Sequence, residues 1–549
     1  MQNEDSVSSK GTLQHSAAPV ALGERIAVLD VIRGFALIGI FLMNIEFFNR
    51  PVGELGEGMP PNLQGLDWLV SYFIAYFVTG KFWTIFSLLF GMGFALMLTR
   101  AEAKSQDFLR PYLRRLIALA LFGVLHHILI WPGDILFSYA IAATGLLLIL
   151  FCKLRWILVA ALVIAILAFV PGLNSIGSLA MALVLCTGIA FLLRTERLFS
   201  FFGVSLPITS AVLSVMALIA LILSVIGFVV PAVSDLRVAI FFAGFLLLLA
   251  YLFLRAFQPI EARPWKIGAL LYSFLFTMMI FGTGVEYLQT HNATNASEQT
   301  VKVKSEQDER KAEKKSEQKK KELEIRQEKM ADNKLETQIL MKGSYFEALK
   351  FRAKEFVENW SNIVIFSVLI NCMFLIGFWF VRSGVMENTR AHLPMFRKLA
   401  LFGLPLGIGL GIAGSLIATA PINGSEGDPF YVATGLLYLG NLPACLGYVS
   451  LIVLMLNSGG LFAKLELLAP YGRMALTNYL SQSVICSLLF YNYGFGLYGM
   501  SRAYQVLVVI SIVILQIGFS HWWLRHFRYG PMEWVWRAIT YWKMPAFKN

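Results

Sequence analysis

The residues best suited to chemistry lie within one apolar stretch, residues 114–139. His126 stands there among leucines and isoleucines, and Asp134 follows it across a tight Pro132-Gly133 turn. Ionisable side chains are costly to place inside a bilayer, so their presence points to a function. A neutral imidazole can take up a proton near neutral pH, and a nearby carboxylate can orient its ring. We therefore predict that His126 is a general base oriented by Asp134, with a histidine that only packs in the core as the alternative.

Other polar residues near the ends of apolar runs extend this candidate site. Arg114 and Arg115 are suited to holding an anionic phosphate, or to anchoring the chain at a headgroup layer. Asn478 and Gln482 are four residues apart on one helix face, where they can bind a substrate or join two helices. The predicted substrate-binding residues are Asn44, Tyr139, Asn478 and Gln482.

Several familiar kinds of site are missing from the sequence. Gly80-Lys81 lacks the rest of a P-loop, and neither HExxH nor GxSxG occurs. The five cysteines all lie inside apolar runs without CxxC spacing. We therefore expect no disulfide framework and no metal site.

The composition decides the class of protein. Of the 549 residues, 57% are hydrophobic and 15% are charged, and the mean hydropathy is +0.66. Because soluble globular proteins are less apolar than this, we predict an all-α, polytopic integral membrane protein. Apolar runs near the spanning length of about 20 residues predict fourteen transmembrane helices, at 26–48, 80–99, 113–131, 135–152, 154–171, 174–193, 206–230, 236–254, 267–289, 360–381, 399–419, 431–456, 471–490 and 504–524. Residues 66–78 are predicted to form an interfacial or re-entrant helix.

The distribution of basic residues predicts the orientation. With fourteen helices, the Lys and Arg clusters at the helix ends all fall on one side of the membrane, which is the cytoplasmic side by the positive-inside rule. Both termini are then cytoplasmic, and the turn between His126 and Asp134 opens outward. This also explains the net charge of +12 without nucleic-acid binding.

Abrupt changes of composition divide the chain. Residues 291–345 are rich in Lys and Glu at helical spacing, which predicts a solvated helix or a disordered tether outside the membrane. The predicted regions are a polar tail (1–24), a transmembrane core (25–153), additional helices (154–290), the charged linker (291–345), a second transmembrane domain (346–530) and an interfacial tail (531–549).

Four long motifs together resemble the YeiB/DUF418 family of bacterial inner-membrane proteins. They are LDVIRGFALIGIFLMNI (29–45), GKFWTIFSLLFGMGFAL (80–96), LRRLIALALFGVLHHILIWPGDILFSYA (113–140) and GRMALTNYLSQSVICSLLFY (472–491), with WLRHFRYGPMEWVWR (523–537) after them. The family resembles, more distantly, a superfamily of transmembrane acyltransferases that includes acyltransferase-3 proteins, OpgC-like succinyltransferases and heparan-α-glucosaminide N-acetyltransferase. The resemblance implies a multi-pass protein of the bacterial inner membrane.

The distant resemblance implies an activity and a cofactor. His126 and Asp134 match the family's HxxxxxxxD pattern, and acyl-CoA is the implied donor. The implied cofactor-binding residues, at the family's basic positions, are Arg33, Arg114, Arg115 and Arg473. Arg33 also lies three residues after Asp30, so an ion pair at a helix end is its alternative role. The role of His127, where a small residue is common, is left open.

Two departures limit this comparison. The lysosomal acetyltransferase has its catalytic histidine between its first two spans, whereas this chain has no histidine between residues 16 and 125. Residues 154–290 also add helices where shorter family members have one connecting span.

Three functions remain open at this point. The leading hypothesis is an O- or N-acyltransferase that moves an acyl group from cytoplasmic acyl-CoA to a small-molecule, lipid or glycan acceptor. The alternative is a transporter or exporter of a small metabolite that uses the same intramembrane His, Asp and Arg residues. The third is a scaffold that acts through the charged linker. The expected partners are membrane lipids and the acceptor, not nucleic acid, and homo-oligomer formation is left open.

Overall fold

The computed structural model describes residues 26–60, 62–194, 198–201, 204–226, 260–297, 306–418 and 429–549, together with residues 240, 241, 244, 245, 247 and 248. Most of these residues are helical, which confirms the predicted helical class. Within them, nine helices are long and apolar enough to cross a membrane, and four further apolar helices are shorter. The fourteen predicted spans exceed those nine. The predicted span 236–254 falls largely outside the described residues, as does the N-terminal tail.

The helices of the first half follow the predicted apolar runs closely. They are α1 (Ala27–Asn44), α2 (Gly65–Phe73), α3 (Lys81–Ala103), α4 (Leu109–Leu129), α5 (Leu136–Phe151), α6 (Leu154–Leu167), α7 (Gly177–Arg194), α8 (Ile208–Ile226) and α9 (Arg263–Ser297). Between α7 and α8, strands β1 (Leu198–Phe201) and β2 (Val204–Pro207) pair antiparallel, with Leu198 opposite Pro207. This short ribbon includes the start of the predicted 206–230 helix.

The second half begins with the charged linker. Its helices are α10 (Glu306–Lys342), α11 (Tyr345–Arg382), α12 (Leu393–Ile417), α13 (Phe430–Ser458), α14 (Leu468–Arg473), α15 (Ala475–Phe490), α16 (Arg502–His526) and α17 (Pro531–Tyr541). Helix α10 decides between the two predictions for the linker, because residues 306–342 are helical. Ser344 and Glu347 then form a capping box at the start of α11.

The segment predicted as an interfacial or re-entrant helix (66–78) forms α2 and one wider turn, Ile74–Val78. Gly80 then has a φ of 80°, a conformation that favours glycine, and α3 begins at the next residue. The chain therefore breaks between α2 and α3.

Glycines let several helices cross at very short distances. A Cβ at Gly407 would lie 2.4 Å from the Gly440 carbonyl oxygen, so α12 packs closely on α13. Gly403 and Gly407 therefore serve packing between helices of the same chain. Likewise, a Cβ at Gly472 would lie 1.9 Å from the Asp30 carbonyl oxygen. The second crossing holds the end of α14 against the first turn of α1.

Helix α4 has two distinct faces. Ile117 is 67% exposed and Leu121 is 51% exposed, on the face available to lipid. Leu119 and Phe122 are buried on the inner face, and His126, four residues after Phe122, continues that face. The 3.6-residue period of the helix thus turns His126 inward.

Candidate functional site

His126 and Asp134 form a buried pair. The distance from His126 Nδ1 to Asp134 Oδ1 is 2.9 Å, and both side chains are 1% exposed. The other carboxylate oxygen, Oδ2, accepts a hydrogen bond of 2.9 Å from the Phe137 backbone N–H. Asp134 is therefore fixed by the first turn of α5 while it contacts the imidazole ring; its role as the orienter of a base stays a prediction.

The second ring nitrogen of His126 is available for chemistry. Among the described residues, Nε2 has no hydrogen-bond partner. When Nδ1–H donates to Asp134, Nε2 keeps its lone pair and can accept a proton. The arrangement suits a general base.

Gly123 brings the two halves of this pair together. It lies one turn before His126 on α4, where a Cβ would be 2.4 Å from the Phe137 amide nitrogen and 2.8 Å from Asp134 Oδ2. The absence of a side chain therefore allows the start of α5 to approach α4. Gly123 is a positioning residue that the sequence reasoning missed.

A basic cavity of about 210 Å³ opens at one end of the helix bundle. We call this end the basic face and the opposite end, where α10 meets the bundle, the linker face. The lining cations come from both halves of the chain and are Arg33, Arg100, Lys104, Arg115, Arg473, Arg528 and Arg537. The acidic side chains of the lining are Asp30, Asp107 and Glu533. Cations outnumber carboxylates, so the cavity favours an anionic ligand.

Several of these cations are held in place by neighbouring groups. Arg33 forms an ion pair of 2.7 Å with Asp30. The guanidinium of Arg115 lies 3.9 Å from the ring centroid of Trp536, whose indole N–H donates to the Arg115 carbonyl oxygen at 3.0 Å. Nε of Arg473 has no partner within the described part of the chain. Arg473 therefore retains an unused donor.

An apolar chamber of about 230 Å³ adjoins the basic cavity. The two share Arg33, Arg115, Arg473 and other lining residues. The chamber is lined by Phe86, Phe90, Leu119, Ile135, Leu136, Tyr139 and Tyr479, among others. The ring centroid of Tyr479 lies 5.2 Å from that of His126. His126 and Asp134 line neither of these two cavities, and Tyr479 is the lining residue that contacts the imidazole ring.

The structure gathers some of the predicted binding residues and not others. Arg33, Arg115, Arg473 and Tyr139 line the chamber. Arg114 lies outside both cavities, with its guanidinium 5.4 Å from the ring centroid of Trp542. Its position agrees with the anchoring alternative.

The predicted amide pair belongs to a buried network between helices. Nδ2 of Asn478 donates to the Tyr471 carbonyl oxygen at 3.0 Å and to the Ser520 hydroxyl at 3.2 Å. Nε2 of Gln482 donates to the Tyr471 hydroxyl at 2.8 Å and to Gln516 Oε1 at 2.9 Å. Both amides thus join α14, α15 and α16, which favours the helix-joining alternative.

Neither Asn478 nor Gln482 lines the basic cavity or the apolar chamber, and the same holds for Asn44 at the end of α1. Their substrate-binding role stays a prediction without support from this geometry. His127 is 5% exposed and packs edge-on against Phe356, with ring centroids 5.1 Å apart.

The last helix supplies site residues that the sequence reasoning missed. Glu533 and Arg537 on α17 line both cavities. Oε1 of Glu533 accepts hydrogen bonds from the backbone N–H groups of Leu476, at 2.7 Å, and Thr477, at 3.1 Å, and so caps the start of α15. Burial raises the pKa of Glu533, and these hydrogen bonds oppose that rise. The sequence signal is the i,i+4 spacing of Glu533 and Arg537 on an amphipathic helix; the aromatic and basic residues of this segment predict an interfacial anchor, with acidic-lipid or cofactor-phosphate binding as the alternatives.

No solved structure matches this chain. Sequence comparison finds a match between residues 380–543 and the family described as "Protein of unknown function (DUF418)". An uncharacterized protein of Bacillus subtilis (strain 168), YxaH, is 27% identical and aligns with 96% of both chains. The uncharacterized protein YeiB of Escherichia coli (strain K12) is 24% identical, over 94% of this chain and 96% of its own length.

A third relative covers only part of the chain. An uncharacterized 39.9 kDa protein encoded in the amylase 3′ region of Bacillus acidopullulyticus is 41% identical over 25% of this chain and 37% of its own length. The full-length matches to YxaH and YeiB extend the relationship beyond the family match in the second half. The family match in the second half and the two full-length relatives together support the YeiB/DUF418 family for this chain.

Proposed function

We propose that this protein is an acyltransferase that uses acyl-CoA. The observation that carries the proposal is the buried His126–Asp134 pair, because the imidazole has a free Nε2 among the described residues and its ring packs against Tyr479, which lines an apolar chamber with a basic mouth. A base held by a buried carboxylate suits the activation of a hydroxyl or an amine. The adjoining cavities suit a donor with an anionic head and an uncharged reactive end.

Acyl-CoA has these two properties. Its phosphate groups match the cations of the basic cavity, where Arg115, Arg473 and Arg537 can each donate several hydrogen bonds. Its acylated arm is uncharged and would extend into the chamber toward Tyr139 and Tyr479. The ligand class thus follows from the charge of the basic cavity and the apolar lining of the chamber.

The transfer step balances with the side chains present. Nε2 of His126 takes the proton of the acceptor hydroxyl or amine as the acceptor atom bonds to the thioester carbonyl carbon. The C–S bond then breaks, and the imidazolium returns that proton to the leaving thiolate. Asp134 stabilises the positive charge on the ring between these two events.

The positive-inside rule assigns the basic face to the cytoplasm and therefore to the side that holds acyl-CoA. Under this proposal the protein resides in the bacterial inner membrane with both termini inside. The acceptor is then an extracytoplasmic or lipid-linked molecule that reaches His126 without passing through the basic cavity.

The first test measures the release of free CoA. Purified protein in nanodiscs receives acetyl- or succinyl-CoA with a bacterial lipid or sugar extract as the acceptor source. We expect release by the wild type, loss of release in His126→Ala and retained release in the neighbouring control His127→Ala. Folded wild-type protein that releases no CoA under these conditions contradicts the proposal.

A second candidate function is transport, and one residue favours it. Lys81 is fully buried at the start of α3, and its Nζ has no partner within the part of the chain that the structure describes. The Asn441 amide, which packs against Gly80, is also fully buried. Ionisable groups at such positions often serve in ion or proton pathways. Substrate flux into proteoliposomes that is independent of CoA and lost in Lys81→Met would support transport over transfer.

A further inference from the structure

We propose that the Tyr479 hydroxyl is a catalytic hydrogen-bond donor that binds the carbonyl oxygen of the acyl group. The inference rests on the proposed acyl transfer and adds to it the group that stabilises the developing negative charge. In this role Tyr479 would touch the reacting atoms directly.

The position of Tyr479 meets the geometric requirement. It lies on α15, lines the chamber and is 6% exposed. Its ring centroid is 5.2 Å from that of His126, and its hydroxyl lies beside the Ile135 backbone amide. Ile135 lines the same chamber. Tyr479 therefore stands between the space for the donor and the base.

The hydroxyl proton is also unused. The Ile135 backbone N–H approaches the Tyr479 oxygen as a donor, but among the described residues no acceptor receives the Tyr479 O–H. Buried donors are rarely left without an acceptor, because such a group loses its contacts with water and gains nothing in return. A phenol O–H without an acceptor in the lining of a cavity therefore points to an acceptor that arrives with the ligand.

Two neighbouring tyrosines differ from Tyr479 because their hydroxyl groups have partners within the protein. The Tyr139 hydroxyl, in the same chamber, donates to the Trp83 carbonyl oxygen at 3.1 Å and lies 3.3 Å from the Ser87 hydroxyl. The Tyr471 hydroxyl accepts from Gln482 at 2.8 Å. Both of these phenols have protein partners, so of the three only Tyr479 is left for a ligand.

The chemistry requires such a donor. When the acceptor atom bonds to the carbonyl carbon, the carbonyl oxygen becomes an oxyanion, and His126 has just gained a proton at the acceptor side. A hydrogen bond from Tyr479 stabilises the oxyanion until the C–S bond breaks and the carbonyl re-forms. The phenol keeps its proton throughout, so no further reactant is needed.

The test compares two CoA compounds of equal length. Acetyl-CoA has the carbonyl oxygen, and S-ethyl-CoA has a methylene in its place. We expect the wild type to bind acetyl-CoA more tightly by roughly 10-fold, since a hydrogen bond to a buried polar group discriminates at about this level. In Tyr479→Phe the two affinities should become equal, and turnover should fall by roughly 10²- to 10³-fold.

Two further variants separate this role from a structural one. The control Tyr448→Phe also removes a phenol hydroxyl, which donates to the Phe77 carbonyl oxygen at 2.9 Å and lies outside both cavities. It should retain the wild-type preference and turnover. Tyr479→His restores a donor and should recover part of the preference for acetyl-CoA.

The outcomes are distinguishable. If Tyr479→Phe keeps the preference for acetyl-CoA and wild-type turnover, the role of Tyr479 is wrong while the acyl-CoA proposal stands. The same conclusion follows if the wild type binds both compounds equally and turns acetyl-CoA over. If folded wild-type protein binds neither compound, the proposed donor is wrong, and the role of Tyr479 falls with it.

Discussion

The two ends of α4 differ sharply. At the basic face, the end that carries Arg115 borders an open cavity lined by cations. At the linker face, the residues that follow the last turn include a buried tryptophan. Trp131 is 2% exposed and stacks on Phe48 with ring centroids 4.5 Å apart. His126 lies between an open end and a closed one.

Charged and polar side chains also bind the carbonyl oxygens at this end of α4. Arg352 on α11 is 2% exposed and donates to the carbonyl oxygens of Ile128, at 2.9 Å, and Leu129, at 3.2 Å. The Tyr345 hydroxyl also donates to the Leu129 carbonyl oxygen, at 3.0 Å. These donors satisfy carbonyls that the end of a helix leaves unpaired.

The linker helix adds a second layer over this end. Leu340 is buried in an apolar cluster with Phe48 and Trp131. Lys329 forms an ion pair of 2.6 Å with Glu57. The comparison teaches that this conformation admits a ligand from the basic face and keeps the linker face closed. An acceptor that arrives from the linker face therefore requires that face to open.

The largest effect is expected at the buried pair between the two ends. In Asp134→Asn the amide can donate to Nδ1, which places the imidazole proton on Nε2 and removes the base. Turnover should fall on the order of 10³-fold or more, while donor affinity stays near that of the wild type. CoA release and equilibrium binding measure the two quantities. An active Asp134→Asn variant would contradict the role of His126 as base.

The basic face should govern donor affinity. Removing the Arg473 guanidinium deletes charge-assisted hydrogen bonds, so Arg473→Ala should weaken acyl-CoA binding by roughly 10- to 100-fold. Arg114→Ala is the matched control, because Arg114 lies outside both cavities, and it should bind like the wild type. Isothermal titration of the protein in nanodiscs measures both. Equal loss in the two variants would indicate a general effect of surface charge instead of a binding site.

The linker face should govern stability instead of affinity. Arg352→Met removes the side-chain donor to the Ile128 carbonyl oxygen and one of the two donors to the Leu129 carbonyl oxygen, which should lower the free energy of unfolding by about 1–3 kcal/mol. Acyl-CoA affinity should not change, and Arg390→Met, at an exposed position, serves as the control. Denaturant unfolding and donor binding together test the separation. A loss of affinity in Arg352→Met would show that the two ends are coupled.

The smallest effect concerns pH at the linker helix. Glu336 is 5% exposed, and burial together with the nearby Glu355 raises its pKa from the ordinary 4.5 to about 8. Arg352 and the Val52 amide oppose this rise, and Glu54 adds to it. Because its pKa is raised, Glu336 is packed against the rest of the protein with its carboxyl group neutral.

The docking contribution of Glu336 is therefore fully present below pH 4.5 and is lost as the pH rises through about 8. Hydrogen-exchange protection of the end of α10, corrected for intrinsic rates, should fall modestly between pH 6 and 9. Glu336→Gln keeps a neutral side chain and should flatten this dependence. Equal protection of the wild type at both pH values would show that the neutral Glu336 carboxyl does not stabilise the docking of α10.

Much of the architecture was predictable because it depends on local pattern. Apolar runs mark the helices, since a backbone in lipid must satisfy its own hydrogen bonds. The number of membrane-spanning helices was less predictable, because α5 and α6 are apolar but short for a helix that crosses a membrane. Composition alone also left the linker undecided between a helix and a tether.

The candidate site, too, was predictable from the sequence only in part. The pairing of His126 with Asp134 was predictable because a short turn separates them. The partners of Asn478 and Gln482 were not, because Tyr471, Ser520 and Gln516 come from other helices. Amides that can bind a substrate or join helices look identical in a sequence.

The sequence by itself determined the membrane class, the positions of most helices and the chemical pair at the turn after α4. Only the tertiary structure decided which cations share a cavity, that α17 supplies Glu533 and Arg537 to it, and that Tyr479 lines the chamber without an acceptor for its hydroxyl proton among the described residues. The physical reason is the separation along the sequence over which each feature acts. Periodicity and turns act over a few residues, whereas a cavity is formed by segments that close packing brings together, such as Gly472 against the Asp30 carbonyl.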